Sequence, residues 1–222
     1  MGHPVEVIDL GLVPYAEALD LQERAVEERR AGKRPDTLFL LEHPPVITLG
    51  RNTRPENLRE SPAALAAEGV ELFEVKRGGD VTYHAPGQLV GYGILDLDAR
   101  GRRDLHAYLR ALEAVLCQAL RGLGVPPRTV PGRTGVFVDD PDPAPAPRKI
   151  ASIGVGARGW VTSHGFALNV DLDLGGFARI VPCGLADVEM TSVAAERAAG
   201  APPDLPARAR HAVRAAFARH FG

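Results

Sequence analysis

The chain has 222 residues, 45% of them hydrophobic and 24% charged, which suffices for one large domain or two small ones. Its formal net charge of −2 gives no indication of nucleic-acid binding, and no apolar run approaches the roughly 18 residues of a membrane span. The first residues lack the features of a signal peptide and the two cysteines lie far apart, so we expect a cytoplasmic protein with reduced thiols that binds neither nucleic acid nor membrane.

The hydrophobic pattern predicts a chain in which strands and helices alternate. Strands are expected at 5–11, 37–43, 70–75, 88–97, 149–155 and 160–172, the last two joined as a hairpin by residues 156–159. Helices are expected at 15–31, within 56–69, from Asp104 onward and up to Phe221, with a proline-rich surface loop at 139–148. Because no repeat or linker interrupts the pattern, we predict one α+β domain over residues 1–222, with a mixed sheet and packed helices.

The helix that begins after Asp104 carries a regular apolar stripe. Asp104 is predicted to cap its N-terminus. Leucines recur at every third or fourth position, which is typical of an amphipathic helix: Leu105, Leu109, Leu112, Leu116, Leu120 and Leu123. The first cysteine, Cys117, lies beside this stripe, and its position favours a role in packing.

The second cysteine, Cys183, stands between a proline and a glycine in the stretch VPCGL. Pro182 fixes its own φ angle and Gly184 permits conformations that other residues avoid, so these flanks favour a thiol held at a defined bend. A buried loop thiol without a chemical role is the alternative. A free thiol is mostly protonated at neutral pH, so a nucleophilic Cys183 requires a base or a nearby cation.

Lysine is rare in this chain. Arginine supplies 23 of the 26 basic residues, and the only lysines are Lys33, Lys76 and Lys149. Lys149 opens a predicted strand beside Arg148, directly after the proline-rich loop. A lysine can lose its proton whereas an arginine in practice cannot, so Lys149 is a candidate base. A solvated lysine at a strand edge is the alternative.

The densest polar segment is RGGDVTYHAPGQ, residues 77 to 88. Gly78 and Gly79 would let the backbone approach a ligand closely, although a hairpin turn also accounts for a glycine pair. His43, His84 and His164 each stand near the end of a predicted strand. Since the chain lacks a Walker motif, a dinucleotide fingerprint, CxxC and HxxxH, we predict neither a nucleotide cofactor nor a metal site.

Five segments, in unbroken order over roughly residues 37 to 191, closely resemble the octanoyltransferases of lipoate biosynthesis. The segments are LLEHPPVITLG, RGGDVTYHAPGQLVGYGILDL, KIASIGV, SHGFALNVDLDL and FARIVPCGL. The resemblance implies the α/β fold of the lipoate and biotin protein ligase catalytic domains.

The resemblance also implies roles for individual residues. The family's acyl-accepting cysteine corresponds to Cys183 and its partner lysine to Lys149. Asp80 departs from the family pattern at a position that is not expected to carry chemistry. The segments that bind the acyl substrate correspond to Arg77, Gly78, Gly79, Asp80, Val81, Thr82, Tyr83, His84, Ser152, Ile153, Gly154, Gly165, Phe166 and Ala167.

The implied reaction transfers an octanoyl group from acyl carrier protein to a lysine of a lipoyl domain. Acceptors in such a family are the lipoyl domains of 2-oxoacid dehydrogenases and the glycine cleavage H protein. Transfer from a thioester to an amine divides into two steps through a Cys183 thioester, with Lys149 handling the proton. Because a thioester donor is already activated, we expect no ATP, no metal and no other cofactor.

Three alternatives remain open from the sequence. An ATP-dependent lipoate–protein ligase of the same fold would need no nucleophilic thiol, so Cys183 argues against it. A non-catalytic module that binds an acyl carrier or lipoyl domain would not depend on Cys183. A cysteine hydrolase would pair its thiol with a histidine such as His84 or His164.

Overall fold

The computed structural model describes residues 4–138, 147–182, 188–197 and 200–222. Short 3₁₀ segments occur at Pro55–Asn57 and Leu174–Arg179. Within the described residues the chain forms eleven strands and four helices: β1 (Val5–Leu12), α1 (Tyr15–Arg30), β2 (Asp36–Glu42), β3 (Val46–Leu49), α2 (Pro62–Ala67), β4 (Glu71–Glu74), β5 (Thr82–His84), β6 (Gln88–Ile94), α3 (Leu105–Gly122), β7 (Pro127–Val130), β8 (Arg133–Val138), β9 (Arg148–Arg158), β10 (Val161–Asn169), β11 (Glu189–Met190) and α4 (Leu205–Phe221).

The larger of two sheets is mixed, with the strand order β1-β2-β6-β10-β9-β8-β7 and with β11 paired to β9. The pairs β1–β2 and β9–β11 are parallel, and the other pairs are antiparallel. A smaller sheet has the order β4-β3-β5. The predicted α+β class with a mixed sheet and packed helices is confirmed.

Both faces of the large sheet are covered by helices, because its central strands alternate between two cores. In β2, Leu38 and Leu40 pack into the core formed with α3 and α4, whereas Phe39 and Leu41 pack into the core formed with α1. This alternation follows from the two-residue period of a strand. Coverage by helices on both sides explains why β2 reads as a continuous apolar run.

The predicted amphipathic helix is confirmed as α3. The carboxylate of Asp104 accepts a hydrogen bond of 2.9 Å from the backbone N–H of Ala107, which caps the helix as expected. Leu112, Leu116 and Leu120 are buried in the core with α4. No helix in the described ranges is long and apolar enough to cross a membrane.

The hairpin formed by β9 and β10 turns later than the sequence indicated. Gly156 pairs with Ser163 inside the ladder, and the turn lies at Gly159 and Trp160, whose φ angles are 57° and 66°. Two consecutive positive φ angles match the twist of a tight hairpin. The predicted hairpin is therefore present, but its turn was wrongly placed at residues 156–159. Gly156 is a strand residue and not a turn residue.

The sequence analysis also missed the strands β7 and β8, which form a hairpin at one edge of the large sheet. Their short, glycine-interrupted segments gave too little periodicity. Arg148, predicted to end the proline-rich loop, instead begins β9. Residues 139–146 of that loop lie outside the described residues.

Candidate active site

A cavity of about 210 Å³ lies between β5 of the small sheet and strands β6, β9 and β10 of the large one. It brings together most of the residues predicted to bind substrate, although they come from three separate parts of the sequence. The predicted residues that line it are Arg77, Gly79, Asp80, Thr82, His84, Lys149, Ser152, Ile153, Gly154, Gly165, Phe166 and Ala167. Cys183 lies outside the described residues.

Three predicted residues of the 77–84 segment lie beside the cavity without lining it. In β5, Thr82 and His84 point toward the cavity, so the alternating residues Val81 and Tyr83 point into the core of the small sheet. Gly78 contributes a backbone contact, because its N–H donates a 2.8 Å hydrogen bond to the carbonyl of Val155. This bond ties the segment to β9.

The Arg77 side chain is held in the wall of the cavity. It is buried, and its guanidinium donates to the carbonyl oxygen and the hydroxyl of Thr48 at 2.8 and 2.9 Å. The segment can lie this close to β9 because Gly154 has no side chain: a Cβ there would be 2.9 Å from the carbonyl oxygen of Gly78. Gly154 therefore determines how closely the cavity walls approach each other.

Lys149 is buried, with only 1% of its surface exposed. Its Nζ donates a 3.1 Å hydrogen bond to the carbonyl of Thr134 and lies 5.5 Å from the ring centroid of Phe137. The solvated strand-edge alternative is therefore wrong for this lysine. Met190 of β11 pairs with Lys149, so the chain that follows Cys183 returns to the strand that carries the lysine.

Gly135, which the sequence analysis did not single out, makes room for the lysine. Its φ angle is +125°, and a Cβ at this position would lie 2.7 Å from Cε of Lys149 and 2.6 Å from the carbonyl oxygen of Ala151. Only glycine fits here without displacing one of these groups. The signal in the sequence was a glycine inside a short strand, which marks a close approach.

The chain that leads to Cys183 is also attached to the cavity wall. The N–H of Val181 donates a 2.8 Å hydrogen bond to the carbonyl of Asn57. The side-chain amide of Asn57 in turn donates to the carboxylate of Asp80, which lines the cavity. Asp80, the departure from the family pattern, thus contacts the segment next to Cys183 through Asn57.

A cluster of buried imidazole and phenol rings forms the other end of the cavity. The Nδ1–H of His43 donates to the carbonyl of Val13 at 2.7 Å, and its Nε2 lies 2.7 Å from the hydroxyl of Tyr92. The ring of Tyr15 lies 5.0 Å from that of His43, and Tyr15 and Tyr92 both line the cavity. Sequence reasoning missed both tyrosines: Tyr15 lies in a stretch without a recognisable motif, and Tyr92 lies inside the segment RGGDVTYHAPGQLVGYGILDL but was not among the residues assigned to substrate binding.

The histidines of this cluster are poor proton acceptors at neutral pH. Burial, reinforced by the neighbouring His43, lowers the pKa of His84 to about 3. Burial lowers the pKa of His164 to about 4, with a further contribution from the positive charge of Arg77. His84 also bonds to the side-chain oxygen of Gln88 at 2.7 Å. These features argue against the cysteine–histidine pairing of a hydrolase.

These histidines should make the fold sensitive to acid. Burial lowers the pKa of His43 to about 4, so three histidines titrate near pH 3–4 when folded and near 6.5 when unfolded. Below pH 6.5 the unfolded chain binds more protons, so the free energy of unfolding should fall by several kcal/mol between pH 7 and pH 4. Urea unfolding across this range measures it. A flat profile would contradict the expectation.

No group of three or more His, Cys, Asp and Glu side chains that could hold a metal ion occurs in the part of the chain that the structure describes. The cavity instead combines an apolar lining, from residues such as Val90, Ile153 and Phe166, with a buried amine at one end. Such a site can hold an apolar chain and transfer a proton beside it.

Comparison with known proteins identifies the family. Residues 14–218 match the lipoyl protein ligase A/B catalytic domain. An octanoyltransferase of Syntrophotalea carbinolica is 52% identical over 189 residues, covering 85% of this chain and 82% of the relative. An octanoyltransferase of Acidobacterium capsulatum is 46% identical over 224 residues, covering 98% of this chain and 89% of the relative.

The fold is shared with a more distant protein. The structure of a bi-partite lipoate protein ligase from Thermoplasma acidophilum superimposes with a TM-score of 0.71 at 16% identity, covering 99% of this chain and 84% of that one. The two octanoyltransferase relatives and the family match confirm the resemblance predicted from the sequence and the prediction of an acyltransferase. The chain belongs to the lipoyl protein ligase A/B catalytic domain family, in which these two bacterial octanoyltransferases are its relatives.

Proposed function

We propose that this protein transfers an octanoyl group from acyl carrier protein to a lysine of a lipoyl domain through a thioester on Cys183. The relatives named octanoyltransferase support octanoyl transfer in protein lipoylation. The observation that carries the finer proposal is the position of Lys149, whose buried amine lines the cavity formed by the predicted acyl-binding segments. The whole chain would act as one catalytic domain in the cytoplasm.

In the first step the Cys183 sulfur attacks the carbonyl carbon of the donor thioester. A new carbon–sulfur bond forms on Cys183 and the bond to the carrier thiol breaks. Lys149 accepts the proton of the Cys183 thiol and returns it to the departing carrier thiolate. The octanoyl group is then held as an enzyme thioester, without any change of oxidation state.

In the second step the amine of the acceptor lysine attacks the Cys183 thioester. An amide bond forms, the carbon–sulfur bond breaks, and Cys183 leaves as a thiolate. Lys149 takes a proton from the attacking amine and gives it to this thiolate, which restores the enzyme. The proposed acceptors are the lipoyl domains of 2-oxoacid dehydrogenases and the glycine cleavage H protein.

The octanoyl chain itself would be held by the apolar part of the cavity. Val90, Ile153, Phe166 and Ala167 offer hydrocarbon surface along its walls. Burial of each methylene group contributes about 0.8 kcal/mol, so the chain would supply most of the binding free energy. An ATP-dependent ligase remains a second candidate for the fold, but Cys183 and a thioester donor make adenylation unnecessary.

The test of this proposal is an enzyme adduct formed with the donor alone. Mixing the protein with octanoyl carrier protein should add the mass of one octanoyl group per chain, and hydroxylamine should remove it. Peptide mapping should place the group on Cys183. An adduct on Cys117, or no adduct while transfer to a lipoyl domain proceeds, would refute the thioester route.

A further inference from the structure

His164 separates the active-site cavity from a second, larger one. The second cavity, of about 890 Å³, lies between α1 and the β9–β10 hairpin, and Gln22, Gly156 and Ser163 are among the residues that line it. His164 lines both cavities and is only 6% exposed. Its imidazole is therefore part of the wall between them.

The backbone at His164 has an unusual conformation that neighbouring groups hold in place. Its φ angle is 56°, a region that residues other than glycine rarely adopt. The N–H of His164 donates a 2.8 Å hydrogen bond to the side-chain oxygen of Gln22, and its ring meets the ring of Tyr92 edge-on at 6.3 Å. A strained conformation persists only where its surroundings fix it, and such residues cluster at functional sites.

The wall stands at the end of the cavity opposite Lys149. His164 pairs across the ladder with Val155 on β9. The Nζ of Lys149 lies beside Gly135, where an added Cβ would be 3.2 Å from Nζ and 2.6 Å from the carbonyl oxygen of Ala151. The amine therefore reaches the level of Ala151, four residues or about 13 Å from Val155 along the strand. An extended eight-carbon chain spans about 9 Å, at about 1.2 Å per bond, and fits this space, whereas a twelve-carbon chain of about 14 Å does not.

We propose that His164 sets the length of the acyl chain that the enzyme transfers, by closing the active-site cavity against the second cavity. The inference rests on the proposed function, in which the thioester lies near Lys149 and the methyl end points toward His164.

The sizes of the two spaces agree with this role. A cavity of about 150 Å³ is large enough to bind benzene, so one of about 210 Å³ is on the scale of an eight-carbon chain. The space behind the wall is several times larger, and Leu19, Val26, Val75 and Ala157 contribute apolar atoms to its lining. Longer chains would therefore find room and hydrocarbon contact once the imidazole is removed. Its depressed pKa keeps the ring uncharged at neutral pH, which suits contact with a methyl group.

The variant His164→Gly opens the wall and also relieves the backbone strain, because glycine adopts a positive φ freely. We expect wild-type enzyme to prefer octanoyl over dodecanoyl carrier protein. In the variant, the ratio of kcat/KM for dodecanoyl to that for octanoyl should rise at least tenfold, since each additional buried methylene is worth about fourfold. The ratio compares two donors on one enzyme, so a general loss of stability does not change it.

Trp160→Gly is the matched control. Trp160 lies in the turn of the same hairpin with a φ angle of 66° and lines neither cavity. This variant should keep the wild-type ratio. If His164→Gly does not fold, His164→Asn provides the test, because asparagine tolerates the same φ region. Its side chain is shorter than that of histidine, so the dodecanoyl-to-octanoyl ratio of kcat/KM should rise by a smaller factor.

The two proposals fail in different ways. If wild-type enzyme transfers octanoyl but both His164 variants keep its chain-length ratio, the wall role is overturned and the proposed function stands. If wild-type enzyme transfers no octanoyl group from the carrier, the proposed function fails, and the inference fails with it.

Discussion

Exchanging Cys183 for alanine is expected to lower octanoyl transfer by about 10³-fold or more. Removal of a nucleophile eliminates the covalent route, and what remains is direct attack by the acceptor amine on the bound donor. The rate of transfer from octanoyl carrier protein to an isolated lipoyl domain measures the effect. Intact mass should also show that the variant no longer takes up an octanoyl group from the donor.

Cys117 offers the matched control, because the chain has only these two cysteines. Cys117 is buried in α3, and burial raises the pKa of its thiol, so it is a poor nucleophile. Cys117→Ala should lower stability by about 1 kcal/mol and leave the transfer rate nearly unchanged. If instead Cys183→Ala retains transfer and Cys117→Ala loses it, the assignment of the nucleophile is wrong.

Exchanging Lys149 for methionine should reduce transfer by about 10² to 10⁴-fold, the usual contribution of a positioned proton-transfer group. Methionine keeps an unbranched side chain of similar volume, so the packing beside Gly135 and Phe137 is preserved. Because the exchange removes the hydrogen bond from Nζ to the carbonyl of Thr134, the melting temperature should fall by a few degrees. A loss of activity far larger than this modest loss of stability can explain is the combined result to look for.

Arginine at this position separates two roles of Lys149. Lys149→Arg keeps the positive charge but cannot accept a proton, so it should lose most of the acylation rate if Lys149 acts as a base. Lys33→Arg, at an exposed site, serves as the control and should behave like wild type. Near-normal transfer by Lys149→Arg would rule out the base role and leave only an electrostatic one.

The sequence predicted the elements of the fold where a periodic pattern was long enough. The leucine stripe of α3, its Asp104 cap and the buried strand β2 all follow from local patterns. The edge hairpin of β7 and β8 did not, because strands of four and six residues with glycine and proline between them carry no clear period. The order of strands in the sheets could not be read from local patterns either, since it depends on contacts between distant segments.

The chemical groups of the candidate site could be predicted from the sequence, but the residues that surround and position them could not. Lys149 stood out because arginine is used almost everywhere else, and the polar 77–88 segment stood out by composition. Tyr15 and Gly135 carry no such signal, since an isolated tyrosine or glycine has many ordinary roles, and Tyr92 lies in a family-like segment that gave it no role of its own. Their contribution arises from the pairing of strands, which brings them to one cavity.

Gly135 beside Lys149 and Gly154 beside Arg77 are two positions that do not tolerate added atoms. Most buried positions are damaged when atoms are removed, because a void replaces contacts. At Gly135 and Gly154 the damage would come from a single added methyl group, since each site is already occupied by a neighbour's atoms within 3 Å. Alanine, which is ordinarily the mildest exchange for glycine, is here among the most disruptive. Substitution should therefore be poorly tolerated at two positions that carry no functional group at all.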